Sequence, residues 1–291
     1  MAKAKPKSPA KIKRPVVFEF HDYRAFLKDW LVYLKKQHKT SARELARLAG
    51  LASGYLPMIL SGKRDLSDKA LVALQPHLKL RQNELGFFKE LCLLSDSTEQ
   101  SERLECYKRI RRFYRYNEQH GDSIEAHKYL ENWYYVAIRE LAMLPGFDIS
   151  PSWIRSQLLN KVTKSQVQEA LDFLVENNYL KVDNKGRVVR PEKPIRCHQG
   201  VYRLSMSQFH RQILELAADS IYEVPRDQRH LLSHTMAIPR SKFAQVRDVL
   251  DEALAKIEAI TGEASAADSV YQVSLMSFPL AGAAGSEGGQ E

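Results

Sequence analysis

Four cations are spaced where they could grip a polyanion. Arg43 and Arg47 lie one helical turn apart near the start of SARELARLAGLASGYLPMILSGKR (residues 41–64), and Lys63 and Arg64 close that stretch. Lysine and arginine pair with phosphate oxygens whatever the base sequence, so such a set supplies affinity and register and carries no sequence information. Between the two pairs the chain has the cadence of two short helices meeting at Gly50. Pro57 falls inside the second helix, which contains no Arg, Asn or Gln. A proline in a helix interior costs ~3 kcal/mol. With Ser53 as N-cap, Pro57 would be the fourth helical residue and would remove the first regular i→i−4 bond. The loss is smaller close to the first turn, where N–H groups lack partners anyway. The expectation is a helix that is short or tilted.

A second set, Arg187, Arg190, Arg196 and Arg203, could clamp a phosphate-bearing ligand between neighbouring modules. A surface of solvated arginines fits the same residues. His230 and His234 are four apart, a metal-ligand spacing only on a helix, and their alternating surroundings favour a strand, on which the pair would not converge. Cys197 and His198 adjoin, but adjacency does not place a thiol and a base in hydrogen-bond geometry. The chain has no GxxxxGK[ST] loop, no GxGxxG after a strand and no GxSxG elbow. No catalytic residue, cofactor or metal site is expected, and neither is an enzyme.

The charge distribution points the same way. The net charge is +9, and residues 1–100 carry all of it, with 19 Lys+Arg against 10 Asp+Glu, while residues 101–291 hold 25 of each. Six of those cations belong to residues 1–14. Such a basic tail is either a solvated arm or one that runs along phosphates or into a minor groove. A hydrophobic fraction of 44% and a charged fraction of 27% are ordinary for a globular chain. No apolar run approaches the ~20 residues needed to span a bilayer, and the N-terminus lacks the apolar core of a secretory signal. Three separated cysteines, Cys92, Cys106 and Cys197, fit a reducing cytoplasm and not a disulfide scaffold.

The elements that must position these residues read as a mainly α chain with an α+β C-terminal part. Residues 1–16, with Pro6, Pro9 and Pro15, read as a disordered basic arm. Residues 17–100 read as a helix-turn-helix bundle. Phe20, Tyr23, Phe26, Leu27, Trp30, Leu31 and Leu34 follow helical spacing, Ser41 and Glu44 form a capping box, and Ser67 caps a further helix. Residues 101–145 read as connector helices, the first a single long helix over 101–121 whose stripe is Leu104, Tyr107, Ile110, Phe113 and Tyr114. Residues 146–195 read as a winged-helix-like module. Ser150-Pro151 opens one helix, Thr163 and Gln166 box a second, Asn177-Asn178 ends it, and YLKVDNKGRVVR forms a hairpin turning through residues 183–186. With 8 basic against 6 acidic residues, that module reads as a scaffold or dimer element more readily than as a second DNA reader. Residues 196–280 read as an α+β effector and dimerisation domain, with strands at HLLSHTMAI and SVYQVSLMSF around the helix SKFAQVRDVLDEALAKIEAI. Residues 281–291 read as a disordered tail.

The stretch 45–64 resembles the helix-turn-helix of the phage repressor and Cro class, on Leu45-Ala46, Gly50-Leu51, Leu56, Ile59 and Gly62-Lys63-Arg64. From about residue 18 to 280 the chain is similar to a family of bacterial regulators that join such a motif to a C-terminal domain of unknown function ending in a VYQ…FPL signature. Here that signature is Val270-Tyr271-Gln272 and Phe278-Pro279-Leu280, after HDYRAFL (21–27) and SGKRDLS (61–67). The resemblance implies that Ser53, Gly54, Tyr55, Pro57 and Met58 face the DNA groove. Direct reading uses bidentate Arg–guanine or Asn/Gln–adenine pairs, each worth ~1–3 kcal/mol of discrimination, and those side chains are missing here. Ser53 and Tyr55 offer single hydrogen bonds and Met58 a contact for a thymine methyl. The expected function is a cytoplasmic, nucleoid-associated transcriptional regulator. It would bind double-stranded DNA as a homodimer, be modulated by a small-molecule or nucleotide effector, and have no membrane partner. The alternative is an effector-binding or protein-interaction scaffold whose helix-turn-helix does not read DNA specifically.

Overall fold

The structure, a computed structural model, describes residues 13–159, 161–184, 186–262 and 267–281. Residues 1–12 of the expected arm and 282–291 of the expected tail lie outside the described residues. The helices are α1 (Tyr23–His38), α2 (Ala42–Leu48), α3 (Tyr55–Leu60), α4 (Asp68–Leu78), α5 (Gln82–Asp96), α6 (Gln100–Ile110), α7 (Tyr114–Gln119), α8 (Gly121–Glu131), α9 (Trp133–Leu141), α10 (Pro151–Gln157), α11 (Lys164–Glu176), α12 (Gln199–Glu223) and α13 (Phe243–Gly262). Strands β1 (Lys181–Val182) and β2 (Val188–Val189) pair antiparallel as the one sheet among the described residues. The chain is therefore mainly α. None of these helices is long and apolar enough to cross a membrane. Two compact units divide it: Met1–Asn132 with Pro194–Arg211, and Trp133–Lys193 with Gln212–Glu291.

In the first unit, local chemistry starts each helix. Asp22, Ser41 and Ser67 accept hydrogen bonds from the third backbone N–H of α1, α2 and α4. Of the Ser41–Glu44 box only the serine half forms, because the Glu44 carboxylate turns to Arg47. The apolar stripe of α1 buries Tyr23, Phe26, Trp30 and Leu34 against Leu45, Leu56, Leu74 and Phe88, and the Trp30 indole N–H donates to the Leu78 carbonyl at 2.8 Å. Residues 13–16 are not free of the core. Arg14 makes two 2.6 Å hydrogen bonds to Glu84 and lies 4.8 Å over the Trp30 ring. That guanidinium holds the Glu84 carboxyl below its ordinary range.

The expected long helix over 101–121 is instead α6, a turn and α7. Phe113 leaves the helix with an extended backbone, and its ring stands against Phe87 at 5.3 Å and Phe18 at 6.1 Å. Gly86 lies against that ring, where a Cβ would be at an ordinary contact distance of 3.7 Å. Burying this aromatic against α5 competes with continuing the helix, and the buried stripe passes through Tyr107, Ile110 and Tyr116 while Tyr114 is 73% exposed. The aromatic segment that follows likewise breaks, at Asn132, into α8 and α9.

In the second unit, Ser150 and Thr163 cap α10 and α11 as expected, the latter with a complete capping box to Gln166. Asn178 takes φ 58° after α11, and the hairpin turns through Asp183 and Gly186 (φ 74°). The C-terminal part departs from expectation: α13 forms, but neither 230–238 nor 269–278 belongs to a sheet among the described residues. Both segments have alternating side chains but lack a neighbouring strand within the chain, so the α+β unit is not assembled here.

Inside the first unit, His127 is 1% exposed. The Ser205 hydroxyl donates to the Val201 carbonyl, so it accepts from His127 Nδ1–H at 2.8 Å. Burial first, and then Arg111 and Lys108, push this imidazole down to about 3. The unfolded chain takes up a proton near the ordinary 6.5, and the folded chain does not, so stability must fall as pH drops below 6.5. Between pH 7 and pH 5 this group alone should remove about 2 kcal/mol. Urea unfolding of the wild type and of His127→Gln at both pH values checks this. The variant should show the shallower pH dependence, and equal slopes would refute the assignment.

Candidate nucleic-acid interface

The α2–turn–α3 pair is built by its backbone. Gly50 adopts φ 67°, which lets the Leu51 N–H reach back to the Ala46 carbonyl at 2.8 Å and closes α2. Gly62 repeats the device at φ 71°, and the Lys63 N–H bonds the Met58 carbonyl at 3.0 Å. Only glycine takes these left-handed angles without strain. Ala46, buried completely, allows close packing of α3, and Leu56 and Ile59 lock it, both at 0% exposure.

The expected N-cap shifts by one residue: α3 starts at Tyr55, with Gly54 before it. Pro57 is thus the third helical residue, where no intrahelical N–H bond is due, and the first regular bond runs from Met58 N–H to Gly54 C=O at 3.1 Å. The helix is short, six residues, and is not broken.

Ser53, Gly54, Pro57 and Met58 are exposed on one side of this pair. Tyr55 is not on that face. It is 7% exposed, with its hydroxyl accepting from Ser67 N–H at 3.3 Å and Arg64 lying 5.0 Å over its ring. Tyr55 thus fixes the course of the chain after α3. Arg43, Lys63 and Arg64 are exposed, and Arg47 is exposed in a pair with Glu44 at 2.6 Å. A solvated pair of this kind yields readily to another anion.

The loop carrying Lys63 and Arg64 is anchored by residues that composition and spacing did not single out. Tyr23 Oη donates to Asp96 Oδ2 at 2.9 Å and accepts from the Leu66 N–H at 3.2 Å, and Leu66 N–H also reaches Asp96 Oδ2 at 3.1 Å. Arg24 pairs with Asp65 at 2.6 Å, and with Asp96 Oδ1 at 2.8 Å without hydrogen-bond alignment. Burial, then Asp96, pushes the Tyr23 phenol far above its ordinary value, so it stays protonated as a donor. The HDYR and SGKRD segments, conspicuous only as parts of the family resemblance, are the two sides of this anchor.

The four arginines expected for an effector fall two in each unit. Arg187 pairs with Asp183 at 2.8 Å and Arg190 with Glu140, both in the second unit. Arg196 and Arg203 are exposed in the first unit. The first unit instead contains a cleft of about 220 Å³ between the start of α1, the end of α5, α6 and the first turn of α12. Arg103 lines it with a buried Nε that has no hydrogen-bond partner, beside Leu94, Val201 and Leu204. At its rim the His21 and His198 rings stack at 3.9 Å, with His120 4.1 Å from His21. Burial first, then the two neighbouring imidazoles, lowers His21 to about 3. Burial pushes the Cys197 thiol up, away from the thiolate a nucleophile needs. His230 and His234 are in a non-helical, exposed segment, and among the described residues no group of three His, Cys, Asp or Glu is placed to hold a metal.

A family described as a domain of unknown function (DUF4423) matches residues 117–280, more than half of the chain, and the chain belongs to that family. No curated protein and no solved structure matches it.

The position of Pro57 has a measurable consequence. Pro57→Ala should change the unfolding free energy by less than about 1 kcal/mol, because no hydrogen bond is restored. A gain near 3 kcal/mol in urea unfolding would place Pro57 in the helix interior after all.

Proposed function

We propose that this protein is a transcriptional regulator that grips double-stranded DNA with the α2–α3 pair and works at the nucleoid, in the cytoplasm. The observation that carries the reading is the exposed side of that pair. Ser53, Gly54 and Met58 stand between two sets of exposed cations, Arg43 and Arg47 on one flank and Lys63 and Arg64 on the other, all on a short, anchored frame. Fixed cations neutralise phosphates and release counterions, and this term carries affinity without sequence. Base reading is lean, since Ser53 offers one hydroxyl and Met58 an apolar tip. Two subunits on two half-sites would multiply that modest discrimination. Arg14 is docked on Glu84 of α5 and over Trp30 of α1.

The effector part of the reading is supported by the cleft on Arg103. A buried guanidinium nitrogen without a partner costs stability and favours an anion that completes it. The cleft touches both α1, which anchors the loop after α3, and α12 of the family domain, so a ligand there would bear on the DNA-binding frame. The rival reading, an effector-binding scaffold that does not read DNA, draws on the same cleft and on the lean face of α3.

Replacing Arg43, Arg47, Lys63 and Arg64 together with Ala should abolish retention of genomic DNA fragments at physiological salt. It should also flatten the dependence of log K on log salt by about 4, roughly one for each phosphate no longer neutralised. Unchanged binding by a folded variant removes this site and favours the scaffold. Genomic DNA capture with and without a metabolite extract addresses the cleft. Arg103→Met should retain DNA binding and lose any response to the extract, whereas a response equal to wild type would place the effector elsewhere.

A further inference from the structure

The end of the chain is unlike the rest of the molecule. Every described residue in 231–245 and in 267–281 is exposed. These are not polar linkers: Leu232 is 84% exposed, Tyr271 71%, Phe278 68% and Leu280 75%. Among the described residues, neither 230–238 nor 267–281 makes a main-chain to main-chain hydrogen bond.

Three features of sequence pattern say what these segments are made for. In 230–238, Leu232, Met236 and Ile238 fall on alternate positions, and in 269–278 so do Tyr271, Val273 and Leu275. Period-two alternation with β-branched and aromatic residues belongs to strands with one buried face. Between them α13 is amphipathic, with Val246, Leu250, Ala253 and Ile257 half-buried along one stripe. Strand, helix and strand in that order amount to half of a two-layer unit, one sheet covered by helices. The missing half has to provide edge strands for both segments and a further apolar face.

We propose that the missing half is the same region of a second copy of this chain, and that segments 230–238 and 269–278 with α13 form a two-fold interface in which strands of the two copies pair. Self-pairing is the arrangement in which each edge meets an edge of matching length and pattern, and a two-fold axis satisfies both copies at once. The area fits. At roughly 150–250 Å² for a large side chain, the exposed apolar residues of 231–280 leave on the order of 1,500 Å² per copy uncovered. A stable interface needs about 800 Å² per partner, so one face of these segments would suffice. The surface is intrinsic to the family domain, whose match runs to residue 280.

This inference deepens the two-subunit part of the reading above, and its test uses no DNA, so a dimer that fails to bind DNA would leave it standing. Light scattering of the full chain, purified alone across micromolar concentrations, should give twice the 33.4 kDa chain mass. Hydrogen exchange on the same sample should show the amides of 230–238 and 269–278 slowed at least a hundredfold relative to unstructured peptide. Val273→Asp with Leu232→Asp should return the mass to that of one chain and speed those amides, while near-ultraviolet circular dichroism of the Trp30 core is retained. If the double variant loses that signal, the wild-type mass and exchange decide alone. A wild-type monomer overturns the proposal. So does a dimer whose 230–238 and 269–278 amides exchange freely, since it would use another surface. A stoichiometric foreign protein co-purifying on these segments also overturns it.

Discussion

The Asp96 carboxylate, 15% exposed at the end of α5, is the constraint on which the loop after α3 depends. It gathers three separate parts of the chain. One oxygen takes the Tyr23 hydroxyl and the Leu66 N–H, and the other lies beside Arg24, which also holds Asp65. Removing one partner would leave a largely buried charge with fewer of the contacts that offset its burial, so the set acts as a unit. Its effect is local and geometric: α1, α5 and the loop after α3 are clamped to one point. Lys63 and Arg64 therefore leave a fixed base, and holding them costs less conformational entropy than cations on a free loop would.

Next to this node, the first unit accumulates neutral imidazoles. His21, His120 and His198 stack in contact, and His127 is enclosed by Tyr107 and Ser205. Each is held uncharged chiefly by burial. Two of the stacked rings, His120 and His198, come from the family-matched part of the chain and the third, His21, from the segment before it. The rings are therefore a seam between the N-terminal bundle and the elements that return to it from later in sequence. They pack as flat, polarisable surfaces whose polar edges are used by Tyr116, Phe18 and Gly200.

Much of this was legible in the sequence wherever local chemistry decides. Ser67, Ser150 and Thr163 cap the helices they were expected to cap, Gly50 turns where it should, and the apolar stripe of α1 is the core. The misreadings have a common cause, which is competition from distant partners. Helical periodicity ran straight through Phe113, because nothing nearby reveals that Phe18 and Phe87 would draw its ring out of the helix. Tyr55 looked like a groove residue by its position in the motif, and a turn ten residues later claimed its hydroxyl. Alternation marked 230–238 and 269–278 as strands, but alternation specifies only a buried face. What covers that face is not written in the segment itself. Asp183 and Glu140, invisible as partners in sequence, pair with Arg187 and Arg190.

The two left-handed glycines that bracket α3 have a consequence for how this protein can change. Gly50 and Gly62 fix the entry and exit of the helix through backbone angles, and Leu56 with Ile59 fix its roll through one buried stripe. None of these four residues lies on the outward side. Ser53, Pro57 and Met58 are exposed, and where Pro57 and Met58 hold the turn after α3 they do so through backbone carbonyls, which any side chain leaves in place. The frame and its outward side chains are thus uncoupled. The chemistry of that outward side can change through three or four codons while the fold stays intact.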